Sequence, residues 1–148
     1  MTLIRGTTGK DQLTGSAGKD WIIGDLGDDW IAGGDGNDRL TGDTGDPNDL
    51  NVGFDDFVFD RHDGTDIITD FNPWGSPPEC EGSEICIAIA VPLDRIVLKG
   101  GTQADIEAAV AGVIADGEGD AVVQYGETNI VLTGIQPSDV AVDWFLLC

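Results

Sequence analysis

Apolar residues are sparse and evenly spaced in the first third of the chain. Leu13, Ile22, Ile31 and Leu40 recur at nine-residue intervals, each near the end of a phrase that is otherwise glycine, small, polar or acidic: GTTGKDQLT, GSAGKDWII, GDLGDDWIA and GGDGNDRLT, starting at Gly6. Three residues with only the middle one turned inward make a very short strand. The six preceding residues open with Gly6, Gly15, Gly24 and Gly33 and return to glycine at Gly9, Gly18, Gly27 and Gly36, which suits a turn through positive φ and lets backbone carbonyls converge. Two phrases then make one eighteen-residue coil with a turn at each end, and such coils stack on their neighbours as a solenoid.

The period falters after Leu40. Gly42, Asp43, Thr44, Gly45 and Asp46 begin a fifth phrase, but Pro47 stands where an aspartate belongs, and Asn48 and Asp49 are the candidate substitutes. Register returns in GFDDFVF, with Gly53, Asp55 and Phe57 in the fourth, sixth and inward slots. Phe57 and Phe59 alternate with Val58, the pattern of a longer strand that ends the coils and starts a broader core. Asn72 to Ser83 is a Pro- and Gly-containing loop, and Arg95 to Leu98 reads as a strand. Thr102 and Asp105 make a capping signature for a helix running to about Ala115, with Ile106, Ala109, Val110, Val113 and Ile114 on one face and Gly117 as its stop. Ala121 to Tyr125 and Asn129 to Thr133 alternate around Gly126 as a hairpin, and a turn at Pro137 to Asp139 leads to the apolar tail Trp144 to Leu147.

Charge changes the picture from architecture to chemistry. The chain carries 28 acidic and 7 basic residues, a net charge of -21, and residues 1 to 70 hold sixteen Asp, no Glu and five Lys or Arg. In an eighteen-residue coil Asp11 stacks toward Asp29 on one edge and Asp20 toward Asp38 on the other. Like charges in a column repel, and the choice of the shorter acid points to ligation at turns by a dication. Asp oxygens and turn carbonyls, with no imidazole or thiolate among them, form the hard oxygen shell that calcium prefers. The net -11 of residues 1 to 70 would be balanced by roughly five dications.

The phrases at Gly6 to Leu40 resemble the RTX (repeats-in-toxin, haemolysin-type) calcium-binding nonapeptide family. That resemblance implies an all-β fold, a parallel β-roll or right-handed β-solenoid, with a C-terminal cap of longer strands and one helix. Residues 1 to 60 are then the roll and 61 to 148 the capping flank, continuous as one domain. It also implies that each ion lies between a turn and the turn two phrases on, held by the sixth-slot aspartates of both and by carbonyls of glycine slots such as Gly9, Gly18, Gly27 and Gly36. The expected sites pair Asp11 with Asp29, Asp20 with Asp38, and Asp29 with the aspartates near Asp46. Asp25, Asp28, Asp35, Asp43, Asp49, Asp55 and Asn37 contribute or tune the field. Asp66 and Asp70, in DGTDIITDF, supply the last ion, with Asp63 a weaker candidate. Family members are secreted without a cleaved leader through a type I export apparatus that reads a C-terminal signal, so the expected location is extracellular. The tail Trp144 to Leu147 reads both as part of that signal and as a final strand of the cap.

Other classes fit poorly. Nucleic-acid binding needs clustered Lys and Arg that the chain lacks. The longest apolar run, Ile85 to Leu93, is too short to span a membrane, and Arg5 to Asp11 interrupts any signal-peptide core. Cys80, Cys86 and Cys148 match no zinc pattern; Cys80 and Cys86 bracket a short loop and suit a bridge in an oxidising medium. His62 reads as a solvated loop residue, no serine has partners to activate it, and aspartates held ionised by calcium make poor general acids, so no catalytic centre is expected. Trp21 and Trp30 face outward on opposite sheets. With Lys10, Lys19, Arg39 and Arg61 they support an alternative, a module that binds polysaccharide or a cell surface. A further alternative is the C-terminal part of a larger toxin or hydrolase.

Overall fold

The computed structural model describes residues 1–43, 53–73 and 94–148. Its first half is built from strands of three or four residues: β1 (Thr2–Arg5), β2 (Gln12–Thr14), β3 (Asp20–Ile23), β4 (Trp30–Ala32), β5 (Arg39–Thr41), β6 (Asp56–Phe59) and β7 (Thr65–Ile68). Then come β8 (Arg95–Leu98), α1 (Gln103–Ala111), β9 (Ile114–Ala115), β10 (Ala121–Tyr125), β11 (Thr128–Leu132) and β12 (Phe145–Leu147).

Alternate strands go to opposite sheets. One runs β1-β3-β5-β7-β11-β10-β9 and the other β12-β8-β6-β4-β2. Every pairing is parallel except those of β10 with β11 and with β9. The sequence period is the structural one: Leu3 pairs with Trp21 and Gln12 with Trp30, eighteen residues on. This is the β-roll with its helix-bearing cap. After the clean repeats β4 pairs directly with β6, placing Phe57 opposite Ile31, so the coil above Asp29 resumes at Asp55. Asp46 and Asp49 lie outside the described residues, as do Cys80 and Cys86.

From β3 to β7 each short strand turns at least one large apolar side chain fully into the space between the sheets. Ile22, Ile31, Leu40, Phe57 and Ile68 are fully covered between the two sheets and join a core that extends through Ile96, Leu98, Val123, Ile130 and Leu132 into the cap. A column of single aliphatics is a thin core, and burying one Leu or Ile contributes only about 1.5–3 kcal/mol. The cap is richer. Phe71 packs between Phe57 and Trp144 with ring centroids 6.2 and 5.6 Å away. Arg61 lies 4.8 Å over the Tyr125 ring and reaches Asp105 of α1 at 3.0 Å, fastening the roll to the helix.

The helix is shorter than its sequence suggests. The Thr102 and Asp105 capping box is present, but α1 ends at Ala111 with Gly112 as its cap, not at Gly117. Ile106 and Ala109 are buried, whereas Ile114 is 64% exposed and lies in β9 opposite Val122. Pairing with the hairpin outcompetes another helical turn there. Among the described residues no helix is long and apolar enough to cross a membrane.

Candidate metal centre

The glycines that open each turn are required by proximity, because their φ angles are not in the left-handed region. A Cβ on Gly6 or Gly15 would overlap the carbonyl oxygen of Gly24 or Gly33 one coil on, and one on Gly24 would overlap both Gly42 O and Asp29 Oδ2. Main-chain carbonyls and aspartate oxygens therefore share the space that a side chain would fill. Positive φ is confined to later turn positions, including Gly27, Gly34 and Gly36.

The aspartates form two columns in which every carboxylate after Asp11 is positioned by the coil before it. Oδ1 of Asp29 accepts the backbone N–H of Asp11 at 2.8 Å, Oδ1 of Asp55 that of Asp29 at 2.9 Å, and Oδ1 of Asp94 that of Asp55 at 3.2 Å. On the other edge Asp20 accepts from Thr2 at 3.0 Å, Asp38 from Asp20 at 2.7 Å, and Asp66 from Asp38 at 2.9 Å. The second oxygens divide the columns in two. Those of Asp11 and Asp20 accept local N–H and hydroxyl bonds from Thr7 and Ser16. Oδ2 of Asp29, Asp38, Asp55 and Asp66 is buried with no hydrogen-bond partner among the described residues.

Four orphaned carboxylate oxygens inside a folded protein are costly unless a cation meets them. Burial, the main cause, pushes Asp29 up to about 6, Asp66 to about 7, and Asp55 and Asp94 each to about 8; neighbouring carboxylates add to each rise. Asp38, Asp63 and Asp70 are also raised by burial. Asp20 goes the other way, to about 2, because the Ser16 hydroxyl and N–H, with the Thr2 N–H, hold its charged form.

The donor set fits calcium. Among the described residues no three His, Cys, Asp or Glu side chains gather as a metal cage. A six- to eight-oxygen shell here needs carbonyls beside a pair of carboxylates, which is what the close-set glycines provide. Zinc is a poor match for an all-oxygen set without imidazole or thiolate.

The remaining residues singled out by sequence are placed unevenly. Asp70 accepts N–H bonds from Gly42 and Asp43 at 2.9 and 2.8 Å, and Asp43 accepts one from Gly53 at 3.1 Å. Asp28 accepts from Phe54 at 3.0 Å and Asn37 from Thr65 at 3.1 Å, both bracing turns. Asp25 pairs with Arg5 at 3.1 Å. Asp63 closes its own turn on the Asp60 N–H at 2.6 Å, and Asp35 stands close enough to raise it. Gly9 and Gly18 line the outer turns beneath Gly27 and Gly36. The aspartate that follows Asp29 in its column is Asp55, 26 residues on.

Asp94 was missed by sequence reasoning. It is nearly inaccessible, its second oxygen accepts the Asn72 N–H at 2.7 Å, and the charges of Asp70 and Asp43 act on it. A signal did exist. Asp94-Arg95-Ile96 repeats the pattern of Asp29-Trp30-Ile31 and Asp66-Ile67-Ile68, an aspartate two places before an inward aliphatic.

Two overlapping segments, residues 3–31 and 14–46, match the model of the RTX calcium-binding nonapeptide repeat (4 copies). No curated protein matches the chain. Among solved structures the chain resembles the extracellular lipase LipA from Serratia marcescens, at 20% identity and a TM-score of 0.48. That match covers 99% of this chain and 21% of the lipase chain, so the chain spans about a fifth of that protein's length.

Proposed function

We propose, from the RTX calcium-binding nonapeptide repeats that residues 3–46 carry, that this chain is a calcium-driven folding module of a protein exported through a type I system. The observation that supports it is the set of four buried carboxylate oxygens without a partner. Asp11 with Asp29, Asp20 with Asp38, Asp29 with Asp55, Asp38 with Asp66 and Asp55 with Asp94 are the pairs positioned to hold ions, together with carbonyls of the turn glycines. Asp70 and Asp43 belong to the same corner as Asp94. Calcium, when bound, supplies the positive charge that offsets the desolvated carboxylates and links successive coils.

Without it the first half holds a thin aliphatic column and mutually repelling acids, which favours an extended chain able to pass through a channel. In a calcium-rich exterior, binding to the folded state alone drives folding by linkage, at about 0.1–1 mM for extracellular modules of this kind. Residues 1–60 and 61–148 act as one folding unit, since both sheets run through them and the cap covers the far end of the roll. The role is structural rather than catalytic, because the carboxylates are committed to cations.

Far-UV circular dichroism tests this. In chelator the chain is expected to be mainly coil, and calcium in the millimolar range is expected to produce sheet cooperatively while magnesium at equal concentration does not. Full sheet content in chelator, unchanged by calcium, would overturn the proposal.

A further inference from the structure

The four repeat turns, residues 6–11, 15–20, 24–29 and 33–38, build the same corner and finish it in two ways. A Cβ on Gly6 would meet Asp11 Oδ2 and Gly24 O, one on Gly15 would meet Asp20 Oδ2 and Gly33 O, and one on Gly24 would meet Asp29 Oδ2 and Gly42 O. In the fourth turn Gly33 faces Asp38 Oδ2 in the same manner. The first two corners are closed on both sides by turns of this chain, 6–11 by 24–29 and 15–20 by 33–38.

The residue after the opening glycine makes the difference. Thr7 donates its N–H and its hydroxyl to Asp11 Oδ2 at 2.5 and 2.9 Å, and Ser16 donates the same pair to Asp20 Oδ2 at 2.6 and 2.7 Å. In the third and fourth turns that place belongs to Asp25 and Gly34, with φ angles of 85° and 84°. With the backbone turned left-handed there, neither N–H reaches the aspartate. Oδ2 of Asp29 and of Asp38 is left without a partner among the described residues, although each aspartate is only 2% exposed. Thr7 and Ser16 stay out of the left-handed region, which a β-branched residue resists most strongly.

Charge divides the turns in the same way. Residues 6–11 and 15–20 each carry one Asp and one Lys, with Lys10 or Lys19 next to the aspartate, whereas 24–29 carries three Asp and 33–38 two, with no Lys or Arg in either. An ammonium beside the carboxylate opposes a dication, and clustered acids attract one.

We infer that Thr7 and Ser16 are positioning residues that create two grades of calcium site along the roll; the inference rests on the calcium reading above. At the corners between Asp11 and Asp29 and between Asp20 and Asp38, the hydroxyl and N–H stand on the oxygen that a cation needs, and an ion must displace them. At the corners between Asp29 and Asp55 and between Asp38 and Asp66, that oxygen is already bare. Hydrogen bonds to a charged carboxylate are strong ones, so giving up two of them makes the first pair of sites about tenfold weaker or more. The inner ions bind as the roll folds, and the two at the first coil bind afterwards.

The test is calcium uptake by equilibrium dialysis with radioactive calcium, read beside circular dichroism of the same samples. In wild type the sheet signal is expected to reach its plateau before uptake does, with two further ions binding at about tenfold higher calcium. Thr7→Gly and Ser16→Gly remove the hydroxyl and permit the left-handed turn; both positions are exposed, so the core is untouched. Each variant is expected to bring one of those two ions down into the folding transition, and the double variant to make uptake and sheet saturate together. Thr7→Ser keeps both bonds and is expected to match wild type. Glycine also frees the unfolded chain, which by itself weakens binding, so a merely structural role gives the opposite sign. Wild-type uptake that ends with the sheet plateau overturns the inference, as do glycine variants whose last two ions bind as weakly as before. A wild type that takes up no calcium would instead count against the proposed function.

Discussion

Replacing Asp55 by alanine is expected to raise the calcium concentration needed for folding about tenfold or more, the largest effect of any single side chain in the roll. Asp55 has no exposed surface, accepts the Asp29 N–H through one oxygen and leaves the other orphaned. It sits between Asp29 and Asp94 in its column, so its loss weakens the sites on both sides and strands a buried donor, itself a penalty of about 1–3 kcal/mol. Each 1.4 kcal/mol is a factor of ten in affinity. Asp55→Asn separates charge from geometry. Its side-chain oxygen can still accept the Asp29 N–H, but the desolvated charge is gone, so the metal-free fold becomes more stable than wild type while the response to calcium shrinks. Calcium titrations of the three proteins by circular dichroism read both effects. Equal midpoints for wild type and Asp55→Ala would place the ions elsewhere.

The second large effect is a reversal of pH dependence between metal-free and calcium-loaded protein. In the metal-free fold burial raises Asp29 to about 6, Asp66 to about 7 and Asp55 and Asp94 to about 8, from an ordinary value of 3.8. Raised groups bind protons in the folded chain that the unfolded chain has already released. Their contribution to stability is therefore complete below about pH 4 and is lost as the pH climbs toward 8. In chelator the chain is expected to gain sheet and thermal stability between pH 8 and pH 5. In calcium the sign inverts, because protons compete for the ligating oxygens and acid weakens the loaded fold. Sheet content by circular dichroism at pH 5 and pH 8, with and without calcium, measures it; the same sign in both series would rule out these carboxylates as the calcium-linked groups.

The repeat was legible because its period is a spatial constraint. Only a coil of two phrases places Leu13 beneath Ile31 and Ile22 beneath Leu40, and β2 with β4 and β3 with β5 pair in that register. The return of register at Gly53, Asp55 and Phe57 was visible too, since each residue type is needed in its slot. Spatial continuation without periodicity was harder to see. Asp94 is the next rung after Asp55 but lies 39 residues later, so period nine could not reach it. The aspartates near Asp46 expected beside Asp29 lie outside the described residues, and the rung described next to Asp29 is Asp55, 26 residues on. At α1, local propensity favoured helix to Ala115, but Ile114 and Ala115 gained a partner strand in β10. Which carboxylate oxygens are orphaned is a property of packing, and the repeat alone does not distinguish Asp29 from Asp11.

Crystals grown in calcium, with anomalous data collected at a long wavelength where calcium scatters strongly, locate the cations without assumption. The expected map has peaks in two columns, one along Asp11, Asp29, Asp55 and Asp94, the other along Asp20, Asp38 and Asp66, each beside turn carbonyls. Maps from well-ordered crystals with both columns empty, or with peaks only at surface acids such as Asp28 and Glu118, would contradict it.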